Sequence, residues 1–187
     1  MSITSYSFLL FAGLLLILYY VIPRRWQWAL LLIASYAFYC FSGVKCLGYI
    51  LATTICAYFV SLRIWELKRR QDARLKLHKD ELSREEKKAY KAAVKKKQKA
   101  WLIFALLFNF GILGVIKYGN FVVSNISGLF GASGEDLFFQ LTLPLGISFY
   151  TFQTMGYLID LYRGEYEPER NFFKFSLFVS FFPQLIQ

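Results

Sequence analysis

Apolar stretches alternate with short polar or charged breaks along the chain. Six stretches stand out, at about 3–22, 26–41, 46–62, 101–118, 141–162 and 172–187. A helix needs about 20 residues to cross a hydrocarbon core of about 30 Å, and these stretches approach or reach that length. The pattern therefore predicts an all-α fold, a polytopic transmembrane helix bundle with six segments that enter the membrane.

The part between the fourth and fifth stretches has a different pattern. Residues 119–140 contain four glycines among apolar residues, together with the acids Glu135 and Asp136. The apolar run from Phe121 to Phe130 is too short to cross a bilayer. We therefore expect a re-entrant or interfacial segment there, buried in protein wherever its backbone is irregular.

Positive charge is concentrated in one block between the third and fourth stretches. The net charge is +10, and residues 68–99 hold fourteen Lys or Arg against five Asp or Glu. A basic protein often binds nucleic acid, but these basic residues form a single block between apolar stretches. We therefore expect the chain to be a membrane protein with a basic loop at 67–100, whose partners are membrane lipids and not nucleic acid.

The charges also predict a topology. The positive-inside rule makes the basic loop cytoplasmic, which places the N-terminus outside and Arg163 and Arg170 inside. Only Lys45 is on the wrong side. The expected location is the plasma or inner membrane, with multiple passes.

A helix is predicted inside the basic loop. Ser83 and Glu86 have the spacing of a capping box, and Tyr90, Val94 and Trp101 then share one face. Its lysines cover the remaining surface: Lys87, Lys88, Lys91, Lys95, Lys96 and Lys97. Such a helix either lies on an anionic membrane surface or is a solvated basic helix between spans, and both interpretations stay open.

The fifth stretch carries the most polar groups. Pro144 suits a helix start and Gly164 a helix end. On a helical wheel one stripe contains Gly146, Phe149, Gln153, Gly156, Asp160 and Arg163. Lipid cannot pair these polar groups, so we expect the stripe to face protein or a wet cavity.

Each polar residue of this helix has two interpretations. Gln153 either bonds to a neighbouring helix or lines a substrate tunnel, and Asp160 and Arg163 either pair with each other or contact substrate. Ser148 is a further tunnel candidate, although Ser148 and Thr151 are expected to bond back to their own helix.

Other polar residues offer little chemistry. Pro183 should break the last helix, and the break needs partners buried in protein. Cys40, Cys46 and Cys56 lack metal-binding spacing and are expected to be buried free thiols, while His78 should be solvated. No catalytic residue and no metal site is predicted.

Three runs resemble a known family. They are Pro-Leu-Gly-Ile-Ser-Phe-Tyr-Thr-Phe-Gln at 144–153, Tyr-Leu-Ile-Asp-Leu-Tyr-Arg-Gly at 157–164 and Phe-Phe-Pro-Gln-Leu-Ile-Gln at 181–187. Together they resemble the membrane-bound O-acyltransferase (MBOAT) family, in particular its bacterial branch that O-acetylates alginate and related exopolysaccharides. The likeness is specific over 141–187 and is mainly one of hydropathy over 1–140.

The resemblance implies transfer of an acyl group from a thioester donor, acetyl-coenzyme A or an acyl carrier protein, with no bound cofactor. The acceptor would be a polysaccharide or an extracytoplasmic transferase partner. The family's presumed base is a histidine that follows the Phe-Phe-Pro-Gln run, and His78 does not correspond to it. We therefore expect residues 1–187 to be the N-terminal portion of a single MBOAT membrane domain, catalytically incomplete.

Two rival hypotheses remain. A small multispan transporter or channel subunit could line a path with Gln153, Asp160 and Arg163, although no internal repeat is found. A non-catalytic assembly partner could use the basic loop to dock an anion.

Overall fold

The computed structural model describes residues 6–42, 44–78, 83–129 and 146–186. Six α-helices and a terminal 3₁₀ helix account for most of them: α1 Tyr6–Val21, α2 Gln27–Ser42, α3 Val44–Leu77, α4 Arg84–Leu129, α5 Ile147–Arg163, α6 Phe172–Ser180 and the 3₁₀ helix Phe182–Ile186. No strand occurs in these four ranges. The all-α prediction is confirmed.

Two helical stretches, Leu47–Leu77 and Arg84–Gly119, are long and apolar enough to cross a membrane. Shorter apolar helices cover Leu9–Val21 and Gln27–Cys40. Many large apolar side chains are exposed, for example Leu10 on α1 at 74%. This combination fits a helical membrane bundle, in which lipid and not water covers the apolar exterior.

Helices α3 and α4 form a long antiparallel hairpin. Near the middle of the hairpin, Gln98 Nε2 donates to the Ile64 carbonyl at 3.0 Å. Close to its tip, the Arg74 guanidinium lies 4.7 Å from the centre of the Tyr90 ring. The predicted basic loop is thus mostly helical and continues the two spans, because Lys, Arg, Gln, Ala and Leu are all strong helix formers.

The predicted capping box is present at the start of α4. Glu86 Oε2 accepts from the Ser83 N–H at 2.8 Å, and Ser83 Oγ accepts from the Glu86 N–H at 3.2 Å. On the predicted apolar face, Val94 is buried, Tyr90 is half-buried and Trp101 is exposed. The Arg74–Tyr90 contact shows that this face is turned toward α3, so packing within the hairpin uses the face that a membrane-surface helix would need.

The core lies where α5 and α6 pack against the hairpin and α2. Its largest fully buried side chains include Tyr39, Tyr150, Phe175, Ile64 and Leu158. Helices α2, α3, α5 and α6 therefore all contribute side chains to the core, and this packing holds α5 against the neighbouring helices.

Two predicted boundaries differ from the structure. Helix α4 runs without a break to Leu129, so residues 121–129 continue a helix where a separate re-entrant or interfacial segment was expected. Helix α5 begins at Ile147 and not at Leu141. The predictions for residues 130–145 lie outside the described residues.

Candidate functional site

The polar stripe of α5 is not the packed face of that helix in the described part of the chain. The buried residues of α5 are Ile147, Tyr150, Thr151, Thr154, Met155, Leu158 and Leu161. Phe149 is 41% exposed, and a Cβ added at Gly156 would have no neighbour within 4 Å. Phe149 and Gly156 are therefore open in the described part of the chain, and that the stripe faces protein or a wet cavity stays a prediction at these two positions.

The threonines explain why the other face is buried. Thr151 Oγ1 donates to the Ile147 carbonyl at 2.7 Å, and Thr154 Oγ1 donates to the Tyr150 carbonyl at 2.6 Å. Because the helix satisfies both hydroxyls itself, this face can be buried without leaving a polar group unpaired. The expected back-bonding of Thr151 is confirmed. The matching partner for Ser148 would be the carbonyl of residue 144, outside the described residues.

Gln153 connects α5 to the break after α6. Its Nε2 donates to the Phe178 carbonyl and to Gln184 Oε1, both at 3.1 Å. Its own Oε1 is buried and has no hydrogen-bond partner among the described residues. The first of the two interpretations of Gln153, a hydrogen bond to a neighbouring helix, is therefore present. Its Oε1 remains available for a ligand or for another part of the protein.

The break after α6 has the partners that Pro183 was predicted to require. Helix α6 ends at Ser180 and the 3₁₀ helix begins at Phe182. The Phe182 N–H donates to Ser35 Oγ on α2 at 3.4 Å, instead of continuing the helix to the Phe178 carbonyl. Ser35 and Gln153 thus pair the donor and the acceptor that the break releases, as backbone groups in an apolar environment require.

A second contact joins α2 to α6. The hydroxyls of Tyr36 and Ser176 are hydrogen-bonded to each other, and Ser180 Oγ donates to the Ser176 carbonyl at 2.8 Å. Adjacent residues of α2, Ser35 and Tyr36, therefore fix both α6 and the segment after it. This anchors the third of the three family-like runs in the bundle.

Asp160 and Arg163 do not form the predicted ion pair. The ion pairs in the described part of the chain join Glu66 to Arg63 and to Arg70. Asp160 instead acts on Tyr166, which follows the helix: burial, and then the nearby charge of Asp160, raises the pKa of Tyr166 to about 12. Arg163 is exposed at the last position of α5.

Arg163 lies beside the basic hairpin. It lines a cavity together with Lys91 and Lys95, two lysines of the predicted basic helix. Lys88, Lys96 and Lys97 are exposed elsewhere on α4, and Lys87 is half-buried. The structure therefore brings together one predicted residue of α5 and two of α4, and leaves Gln153 at the α6 junction.

Two polar positions within the spans were missed. Asn109 and Thr54 are fully buried, and Asn109 Oδ1 and Thr54 Oγ1 lack hydrogen-bond partners among the described residues. Counting along the antiparallel helices from the Gln98–Ile64 contact places Asn109 level with residue 53, next to Thr54. A lone Asn in the apolar run Leu-Leu-Phe-Asn-Phe-Gly was a usable signal, because intramembrane polar residues are costly.

The free cysteines differ in part from expectation. Cys40 is exposed and Cys56 is half-buried, and both are unpaired thiols. Cys40 lies on the outside of α2, where a thiol behaves as a small apolar group and faces lipid at little cost. The side chain of Cys46 lies outside the described residues. His78, at the end of α3, is only partly exposed.

These features define a helical membrane protein with a polar junction at α5 and α6 and a basic hairpin at one end. Comparison with protein-family models gave no match, and comparison with solved structures gave no significant match. The chain is 35% identical over 181 residues to a probable alginate O-acetylase, AlgI, of Azotobacter vinelandii, and 34% identical over 179 residues to that of Pseudomonas aeruginosa. Each alignment covers 95% of this chain and 31% or 30% of the relative.

A peptidoglycan O-acetyltransferase of Helicobacter pylori is 31% identical over 188 residues, covering 88% of this chain and 30% of the relative. The chain spans about 30% of the length of the curated relatives it matches. The chain belongs to the membrane-bound O-acyltransferase family.

Proposed function

We propose that the protein is an integral membrane O-acetyltransferase that acetylates hydroxyl groups of an exported or cell-wall glycan. The observation that carries the proposal is the similarity to alginate O-acetylases over 95% of this chain and to a peptidoglycan O-acetyltransferase over 88%. Both kinds of relative are named for acetylating a glycan. The shared chemistry is therefore formation of an acetyl ester on a sugar hydroxyl.

In the proposed reaction the acceptor hydroxyl attacks the carbonyl carbon of an acetyl thioester. The C–O bond forms, the C–S bond breaks, and the hydroxyl proton passes to a general base and from it to the departing thiolate, which leaves as the thiol. A neutral imidazole suits this role near pH 7. The family resemblance assigns the base to a histidine outside residues 1–187, so these residues serve as scaffold and wall.

The stripe on α5 is the proposed wall. A Cβ added at Gly156 would have no neighbour within 4 Å, and Asp160 at the far end of the stripe is partly exposed. This surface is therefore open to the remainder of the protein or to substrate. The unpaired Oε1 of Gln153 supports the same role. Asn109 and Thr54 supply two further polar atoms at mid-span.

The proposed topology places the N-terminus outside and the α3–α4 tip in the cytoplasm, with the thioester donor reaching the protein from that side. The charge pattern supports it, because the tip carries most of the positive charge. Single cysteines placed at the tip should react with a membrane-impermeant maleimide only after the cells are opened. Labelling in intact cells would contradict this orientation.

Deletion of the gene in the host tests the activity. The exported glycan or the peptidoglycan should lose alkali-labile O-acetyl groups, and a plasmid copy should restore them. A Gly156→Trp copy should restore fewer O-acetyl groups, because the indole would occupy the space in front of the proposed wall. A Gly13→Trp copy, changed on lipid-facing α1, should restore them fully. Unchanged acetylation of every glycan in the deletion strain would refute the proposal.

A further inference from the structure

A cavity lies where the basic hairpin meets the end of α5. Its volume is about 370 Å³, and four cationic side chains line it. They are Lys68 of α3, Lys91 and Lys95 of α4, and Arg163 of α5. The amide of Gln71 is among its further polar groups, and none of the described residues that line it is a carboxylate. We refer to this cavity as the basic cleft.

Among the described residues, no ion pair neutralises the charges of the basic cleft. In the described part of the chain the ion pairs all involve Glu66, and none includes a cleft cation. Asp72 and Glu167 line a neighbouring cavity that shares only Lys68 with the cleft. Like charges in one cavity repel each other, so a bound anion would stabilise this arrangement.

Lys68 is held in place by two contacts. Its Nζ lies 5.3 Å from the centre of the Trp65 ring. It also lies so close to Gly164 that a Cβ there would be 2.6 Å from Nζ. The glycine thus lets an ammonium approach the C-terminal end of α5, where the helix dipole favours a cation. One wall of the cleft is therefore fixed before any ligand arrives.

The cleft also lies at a suitable depth. Trp65 precedes Lys68 by one turn, and Trp101 follows Lys95 by about 9 Å at 1.5 Å per residue. Tryptophans favour the boundary between membrane and water. The cleft therefore opens near the level of lipid headgroups, within reach of both lipids and soluble molecules.

We propose that the basic cleft binds the phosphate group of an anionic ligand at the membrane surface. Lys91, Lys95 and Arg163 donate charge-assisted hydrogen bonds to the phosphate oxygens, with Arg163 able to donate two in parallel. Two sources carry this chemistry, the headgroup of an anionic phospholipid and the phosphates of a soluble carrier such as coenzyme A. The inference holds whether or not the protein transfers an acyl group.

The test measures binding and not turnover. The intact protein is reconstituted in phosphatidylcholine nanodiscs, and radiolabelled coenzyme A is titrated at equilibrium. A second arm measures retention of phosphatidylglycerol against phosphatidylcholine by native mass spectrometry. The variants are Lys91→Gln with Lys95→Gln, and separately Arg163→Gln. Matched controls are Lys96→Gln with Lys97→Gln on the same helix, and Arg170→Gln.

We expect each cleft variant to lower the affinity for at least one of the two ligands about tenfold, as loss of a charge-assisted phosphate contact does. The control variants should change either affinity little. An effect on phosphatidylglycerol alone assigns the phosphate to a lipid, and one on coenzyme A alone to a soluble carrier. Equal effects of cleft and control variants would show only general surface charge and would overturn the proposal. So would no effect of any variant.

Discussion

Replacing Gln153 by methionine should detach the segment after α6 from α5. Methionine keeps the length and apolar body of the side chain and removes both donors. The Phe178 carbonyl then loses its partner at 3.1 Å and so does Gln184 Oε1. The Phe178 carbonyl cannot recover the bond of a continuous helix, because the Phe182 N–H is directed at Ser35.

The magnitude of this effect follows from the two hydrogen bonds that are lost. Hydrogen bonds inside membrane proteins average about 0.6 kcal/mol each, so the loss of both bonds of the Gln153 amide costs about 1.2 kcal/mol. Loss of the unsatisfied Gln153 Oε1 offsets part of this, which leaves about 1 kcal/mol. Gln184→Met is the matched control, because it removes one exposed bond and leaves the Phe178 carbonyl paired, at about 0.6 kcal/mol.

The assay is a denaturing-detergent titration of the intact protein, followed by tryptophan fluorescence. Gln153→Met should lower the free energy of unfolding by more than Gln184→Met, because it removes one further hydrogen bond. The double variant should be close to Gln153→Met alone, since the shared bond is lost only once. Equal effects of the two single variants would refute the reasoning, because the Phe178 carbonyl would then contribute nothing.

Three further predictions concern the ends of helices and the loop after α5. Ser83→Ala removes a cap worth about 1 kcal/mol, so amide exchange in the first turn of α4 should speed up about fivefold, and unchanged exchange would contradict the capping box. Gly164→Ala should lower the free energy of unfolding by about 1–2 kcal/mol, because the φ of Gly164 is +89°. Gly13→Ala, in open helical space, should be neutral or stabilising in the same unfolding assay. Equal effects would contradict this account of Gly164. The pKa of Tyr166 is raised to about 12, above the unfolded value of about 10, so its contribution to stability is complete below pH 10 and is lost as the pH rises toward 12. Melting temperature should therefore fall more steeply over that range in the wild type than in Tyr166→Phe, and parallel curves would contradict the raised pKa.

Features governed by local chemistry could be predicted from the sequence. The capping box at Ser83 and Glu86 needs only three residues of spacing. The break at Pro183 follows from the missing N–H of proline. The left-handed end of α5 at Gly164 follows from the absence of a Cβ. Each of these depends on neighbours in the chain, so no knowledge of packing was needed.

Features governed by packing could not be predicted in the same way. The stripe of Gln153 and Gly156 showed that one face of α5 is unusual, but a helical wheel cannot say which face the neighbours occupy. The buried face instead uses Thr151 and Thr154, whose hydroxyls bond to their own helix. The basic cleft combines Arg163 with lysines about 70 positions earlier in the sequence, and only the tertiary fold brings these residues together.

The most direct test of the central claim is acetyl transfer in membrane vesicles. Inside-out vesicles from the host receive an acetyl thioester labelled in the acetyl group, and label released from glycan by mild alkali is counted. We expect labelled glycan from wild-type vesicles and none from vesicles of the deletion strain. Equal labelling of both would contradict the assignment of this chain to an O-acetyltransferase of the membrane.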